Sequence, residues 1–188
     1  MLYGGRVRLR PIERDDLPRF VAWFADPEVR AHLALFLPMG LAQEEHWYEA
    51  VLARPQEEQP FALDARLAEA AWRHVGSAGL QNLQWRTRSA EIGLVVGDRS
   101  AWGMGLGTEA TELLVRFAFA TLNLHRVALR VYEDNAPARR VYEKVGFVLE
   151  GRQRDGDYRE GRYRDVLLYS LLRPEWKARR GERAPADA

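Results

Sequence analysis

The chain has 188 residues, is 47% hydrophobic and 29% charged, and carries a formal net charge of +1. Those values describe one globular domain that can bury its core without disulfides or metal, and they exclude wholesale disorder and imply no nucleic-acid partner. Cysteine is absent, which removes disulfides, a thiol nucleophile and thiolate zinc sites and fits a reducing compartment, and no apolar run reaches the roughly 18 residues of a membrane span.

Residues 6–12 alternate and read as an opening strand. Asp15 and Asp16 stand where a helix cap belongs, with Pro18 in the first turn. Leu17, Phe20, Val21 and Phe24 then recur at helical spacing, and Asp26-Pro27 breaks the helix. A second helix is predicted over 42–52, after an aromatic-rich connection that holds Phe36, Pro38 and Gly40. Residues 60–67 and 71–83 form a strand pair, and 90–96 another strand. A glycine-rich turn at 103–107 opens a long helix with Leu106, Ala110, Leu113, Leu114 and Phe117 on one stripe. Val127, Leu129 and Val131 alternate on a strand. A short helix follows over 136–145, and Gly146 is placed to end it. Residues 147–149 and 165–172 read as final strands joined by a polar loop, 152–164; from Arg173 onward Pro, Arg, Ala and Asp dominate, and the last dozen residues read as a frayed tail. The order predicts a mixed α/β (α+β) domain with a sheet covered by helices, one unit over 1–176, with 177–188 flexible.

The run Trp102-Gly103-Met104-Gly105-Leu106-Gly107-Thr108 lies between a strand and a helix. Alternate glycines permit positive φ and close approach of a ligand. The helix start leaves four amides without partners, and its dipole favours phosphate. The physical reading is a pyrophosphate cradle of backbone amides at 104–108; the competing reading is a turn that binds nothing. Gly105-Leu-Gly107-Thr-Glu-Ala110 also satisfies the dinucleotide fingerprint, but about 100 residues precede it, which fits that fold poorly. A nucleoside-triphosphate loop is excluded, because no Gly-Lys-Ser/Thr follows.

About 30 residues downstream stands Asn135-Ala-Pro-Ala-Arg-Arg-Val-Tyr142-Glu-Lys-Val-Gly146-Phe147. Asn135 is placed to cap the short helix. Tyr142 lies two turns on, on roughly the same face, where its hydroxyl can reach a cleft or simply pack in the core.

Together these cassettes resemble the GNAT superfamily of acetyl-CoA-dependent N-acetyltransferases, and most closely its RimJ/RimL-like branch of ribosomal-protein N-terminal acetyltransferases. The resemblance runs from about Arg6 to Trp176 and is most specific in AEIG, WGMGLGTEA, LHRVALRVYEDN and ARRVYEKVGF, with GRYRDVLLYSLLRPEW at the end. It implies a mostly antiparallel, twisted sheet splayed in the middle, flanked by about four helices. It implies acetyl-CoA as cosubstrate, no metal, no membrane, a cytoplasmic enzyme and a homodimer. The family's Gln/Arg-x-x-Gly-x-Gly/Ala motif falls on Trp102, Gly105 and Gly107, with Trp102 departing from the pattern. The resemblance implies that the strand at Leu94, Val95 and Val96 pairs with the pantetheine arm, that the amides of Gly103, Met104, Gly105, Leu106, Gly107 and Thr108 hold phosphate, that Asn135 bonds the arm, and that Tyr142 sits near the thioester sulfur.

The reaction so implied is direct attack by a neutral primary amine, from a protein or peptide N-terminus or a small molecule. An α-amine costs only about 0.5 kcal/mol to deprotonate near neutrality and a lysine-like amine roughly 4 kcal/mol, so only the second needs a strong base. Glu91 is the candidate base, or else a strand-surface carboxylate that positions substrate. An amide near Val95 or Val96 is the expected oxyanion donor. His32, His46, His74 and His125 lack ligand spacing and read as structural. Carboxylates at 155–160 are solvated loop groups or attract a cationic substrate. Trp23, Phe24, Phe36, Trp47 and Tyr48 form either core or an apolar floor for the acceptor. A non-catalytic acyl-CoA sensor is the alternative function.

Overall fold

The computed structural model describes residues 1–35, 37, 39–67 and 71–181. Its strands are β1 (Leu2–Tyr3), β2 (Val7–Pro11), β3 (Phe61–Ala65), β4 (Arg73–Gln84), β5 (Ser89–Val96), β6 (Arg126–Tyr132), β7 (Val148–Arg159) and β8 (Arg162–Leu172). Its helices are α1 (Leu17–Ala25), α2 (Pro27–Arg30), α3 (Leu41–Leu52), α4 (Leu106–Arg116), α5 (Ala136–Val145) and α6 (Arg173–Arg179). The sheet order is β1-β2-β3-β4-β5-β6-β8-β7, and the β5–β6 neighbours alone run parallel.

Strand alternation sorts side chains to two faces. Val7, Leu9, Val75, Ala90, Ile92, Val127, Leu129 and Tyr169 pack against Leu106, Ala110, Leu114, Tyr142 and Val145, so α4 and α5 cover one face with the main core. Ile12, Leu17, Phe20, Tyr48 and Ala62 form a second cluster, so α1 and α3 cover part of the other face.

A buried ionic network lies under α1 beside that second cluster. Asp64 Oδ2 accepts from Arg8 Nε at 2.8 Å and Arg10 Nε at 3.0 Å. Arg10 also holds Asp16 through two bonds of 2.7 and 2.8 Å. His74 Nδ1 stands 3.0 Å from Asp16, and its Nε2 meets the Gly76 carbonyl at 2.8 Å. Asp16 therefore does not cap α1 with its side chain, as its sequence position suggests; its carboxylate is drawn to Arg10 and to the Glu13 amide.

Three other segments depart from the sequence reading. Asp26-Pro27 ends α1 but starts α2, because Asp26 Oδ1 accepts from the Glu28 amide and proline suits a first helical position. The polar stretch 152–164 is not a loop: β7 and β8 continue through it as one antiparallel hairpin with its turn at Glu160-Gly161. Ion pairs such as Arg152–Asp165 and the part-buried Arg164–Asp157 line that hairpin, so no apolar alternation marks it in the sequence. The chain after Arg173 forms α6, whose first turn is closed by Glu175 on the Leu172 amide, and Trp176 packs on Phe119. Of the predicted flexible segment, 182–188 lie outside the described residues.

Candidate active site

β5 and β6 pair only through Ser89–Arg126, Ala90–Val127 and Glu91–Ala128. Beyond Glu91 both strands continue, each bonded only to its outer neighbour, β4 or β8. A wedge-shaped gap therefore opens in the middle of the sheet. Gly97 donates its amide to Val75 on β4 at 2.9 Å. By strand alternation Gly93 and Val95 face β4, while Leu94 and Val96 turn their backbone groups to the gap. Of the predicted pantetheine-pairing residues, Leu94 and Val96 have the required orientation. Val95 is directed to β4 and Val96 to the gap.

The glycine turn lies at the end of β5. Gly103 has φ +74° and Gly105 φ +79°, both in the left-handed region. Gly105 precedes the first residue of α4, and the first amide to find a helical partner is that of Glu109, on the Gly105 carbonyl. Among the described residues no acceptor meets the amides of 103–108. A Cβ on Gly107 would lie 3.7 Å from Leu94 Cδ2 and Val141 Cγ2, ordinary contact. Gly107→Ala is therefore expected to leave the thermal midpoint unchanged or raised, because alanine is the better helix former by up to about 1 kcal/mol. Gly105→Ala, with φ +79°, is expected to lose about 1–2 kcal/mol in a denaturant titration.

Trp102 turns away from the cradle: its indole Nε1 donates to the Val96 carbonyl at 2.7 Å. Asn135 caps α5, its Oδ1 accepting from the Ala138 amide at 3.2 Å, which leaves its side-chain N–H groups for another acceptor. Gly146 ends α5 at φ +112°.

Tyr142 is buried on the α4–α5 face with its ring edge-on to Phe147. Its hydroxyl has no hydrogen-bond partner among the described residues, and burial pushes its pKa up to about 12. Glu91 is half-buried on the opposite face of the sheet, at the point where β5 and β6 part, and its carboxylate has no ion-pair partner among the described residues. Gly93, next on that face, is exposed, and nothing lies within 4 Å of where its Cβ would be. Tyr142 thus belongs to the core on the α4–α5 face of the sheet, and Glu91 stands on the other face.

Of the predicted aromatic floor, Tyr48 is buried, and Trp23, Phe24 and Trp47 are half-buried against the second cluster. Phe20 gathers Trp23, Phe24 and Trp47 around it, and the Tyr48 hydroxyl bonds the Ile12 carbonyl at 3.4 Å. Trp23 packs flat on Gly97, where a Cβ would lie 2.3 Å from its ring. Phe36 lies outside the described residues. At the carboxyl end of β6, a cavity of about 140 Å³ is lined by Ala31, His32, Asp134, Arg159, Glu160, Arg162 and Arg164. Arg159 donates to the carbonyls of Arg30 and Leu35, and Arg164 to that of Ala31, so the hairpin straps the segment after α2. The sequence did not single out these arginines; the hairpin that carries them read as a loop.

The dinucleotide reading fails on this topology. Its turn belongs after the first strand of a parallel sheet, whereas β5 is antiparallel to β4. A splayed sheet with an amide cradle at the gap is the architecture of an acetyltransferase. Residues 6–148 match the family model described as an acetyltransferase (GNAT) domain. The chain belongs to the GNAT acetyltransferase family, and as such it is an enzyme that moves an acetyl group from acetyl-CoA to an amine nitrogen.

YdaF of Bacillus subtilis (strain 168), which carries a provisional ribosomal N-acetyltransferase name, is 31% identical over 175 residues, 91% of this chain and 93% of that one. Spermidine N(1)-acetyltransferase of Escherichia coli (strain K12) is 26% identical over 183 residues, 92% and 89% of the two chains. The crystal structure of spermidine N-acetyltransferase from Vibrio cholerae in complex with CoA and spermine shares the fold, with a TM-score of 0.83 at 24% identity over 92% of this chain and 99% of that one.

Proposed function

We propose that the β5–β6 gap is where an acceptor amine attacks acetyl-CoA directly in a ternary complex, with a small primary amine such as a polyamine as acceptor. The observation that carries this reading is the parting of β5 and β6 after Glu91, whose carboxylate has no ion-pair partner among the described residues, together with a Tyr142 hydroxyl that has no hydrogen-bond partner on the other face of the sheet. The thioester carbonyl sits between them. The amine lone pair forms the C–N bond, the C–S bond breaks, and the leaving thiolate takes a proton or hydrogen bond from Tyr142. Glu91, directly or through water, accepts the proton the amine sheds. The Val96 amide supports the oxyanion, the amides of 103–108 hold the phosphates, Leu94 pairs with the pantetheine arm, and Asn135 bonds it.

The small-amine acceptor draws support from the spermidine N(1)-acetyltransferase similarity. Such an amine, with a pKa near 10.4, requires roughly 4 kcal/mol of deprotonation near neutrality and so gives Glu91 its work. A protein N-terminal α-amine, as in the RimJ/RimL-like branch, is the second reading, favoured by the YdaF similarity. The proposal carries with it a cytoplasmic setting and a single catalytic domain over 1–176. Exposed Val148 and Leu149 on the edge strand β7 support a homodimer.

The test is an acceptor screen with thiol detection. Spermidine and related polyamines are expected to release CoA at least tenfold faster than peptides offering only an α-amine. Preference for the peptides would install the second reading. No acceptor-dependent thiol release, with acetyl-CoA still bound, would install the sensor. Binding itself is read first by thermal stability: CoA or acetyl-CoA at 100 times its Kd adds about 2.7 kcal/mol, and NAD is expected to add nothing.

A further inference from the structure

We infer that Arg6 is a phosphate-binding residue of the acetyl-CoA site, supplying from the chain just before β2 the cation that the glycine turn itself lacks. The inference rests on the acetyl-CoA reading of the turn and names a residue outside the motif. Within the motif, the first position holds Trp102, whose only polar atom is spent on the Val96 carbonyl. The guanidinium beside the turn comes instead from 99 positions upstream by sequence: Arg6 Nη2 lies 3.4 Å from where a Cβ on Gly105 would be.

Arg6 is held there by its own backbone. Its amide donates to Glu109 Oε1 at 2.6 Å, and the Val7 amide reaches the same oxygen at 3.3 Å. Gly4 packs on the same carboxylate, where a Cβ would stand 2.8 Å from that oxygen. Glu109 Oε2 stands 3.5 Å from Arg6 Nε. That carboxylate is satisfied mostly by main chain, and among the described residues no acceptor meets Nη1 or Nη2 of Arg6. The side chain is 55% exposed. A two-nitrogen fork with free donors therefore stands beside a row of free amides at a helix start, which is the donor set a phosphate oxygen recognises. The phosphate is either the pyrophosphate or the ribose 3′-phosphate of CoA.

Titration calorimetry of the full chain with CoA, and separately with 3′-dephospho-CoA, tests this. Arg6→Gln is expected to weaken CoA about tenfold or more, the loss of a charge-assisted bond, with the ligand-free thermal midpoint unchanged because the main-chain bond to Glu109 remains. Arg6→Lys, which keeps the charge without the fork, is expected to fall between the two. If the deficit of Arg6→Gln vanishes with 3′-dephospho-CoA, Arg6 holds the 3′-phosphate; if it persists, Arg6 holds the pyrophosphate. CoA affinities of Arg6→Gln and Arg6→Lys both within twofold of wild type would overturn the assignment and leave the acetyl-CoA reading standing. A wild-type chain that binds no CoA would overturn both.

Discussion

Tyr142→Phe is expected to lower kcat by about 10²-fold or more while the KM for acetyl-CoA stays within about twofold, the range typical of a lost general acid. Three features lead to that result. The hydroxyl has no internal partner, so its removal breaks no bond that holds the fold. The ring remains packed against Phe147, and the cradle at 103–108 is untouched. Its pKa, pushed up to about 12 by burial, keeps the phenol protonated at every working pH. The rate should therefore rise from about pH 6 toward pH 10 as the acceptor amine loses its proton, with no fall in that window from Tyr142. Steady-state kinetics across pH, with a thermal midpoint for each variant, checks this. A variant that keeps wild-type turnover would remove Tyr142 from the chemistry. A variant that loses turnover and melts earlier would point to packing instead.

Removing Asp64 should be the most damaging change outside the gap. Its side chain is 3% exposed and joins Arg8 and Arg10, which are 21% and 16% exposed. Truncation to alanine leaves two poorly hydrated guanidinium groups with one fewer carboxylate, and breaking a buried pair this way costs about 3–5 kcal/mol. For a domain of this size that lowers the thermal midpoint by roughly 6–20 °C. Glu49→Ala, which breaks the exposed pair with Arg14, serves as the contrast and should cost no more than about 0.5 kcal/mol.

The same network sets the acid limit. Burial pushes Asp16 up, but its bonds to Arg10 and His74 outweigh burial and hold it well below the ordinary aspartate range. A carboxyl with a lower pKa in the folded than in the unfolded chain stabilises fully at neutral pH. That contribution is lost as pH falls from about 4 toward the folded value. Wild-type stability should therefore decline more steeply below about pH 4 than that of Asp16→Asn, as followed by thermal midpoint against pH.

The chain's local signals were legible where the determinants are short-range. Helix α5 spans 136–145 as read, because Asn135 caps it and Gly146 ends it within one stretch of chain. The glycine turn and the helix after it were legible for the same reason: left-handed φ at Gly103 and Gly105 is a property of glycine itself. Tyr142 could be nominated from its spacing to Asn135, and Glu91 from its place on the strand before the turn. What was not legible depends on partners far along the chain. The hairpin of β7 and β8 is held by pairing and by ion pairs such as Arg164–Asp157, and a strand built of charged and polar residues leaves no apolar period. Asp16 looked like a cap because only the fold brings His74 and Arg10 to it.

By itself, then, the sequence determined the start and stop of α5, the glycine turn and the helix after it, the nomination of Tyr142, Asn135 and Glu91, and the resemblance to an acetyltransferase family. Tertiary structure alone decided that β5 and β6 part after Glu91, that Leu94 and Val96 rather than Val95 face the opening, and that Arg6 reaches Gly105 across the first turn of α4. The physical reason is that caps and left-handed turns are encoded within a few residues, whereas a gap in a sheet is an absence of long-range hydrogen bonds, and no local pattern records which distant strand a strand will leave unpaired.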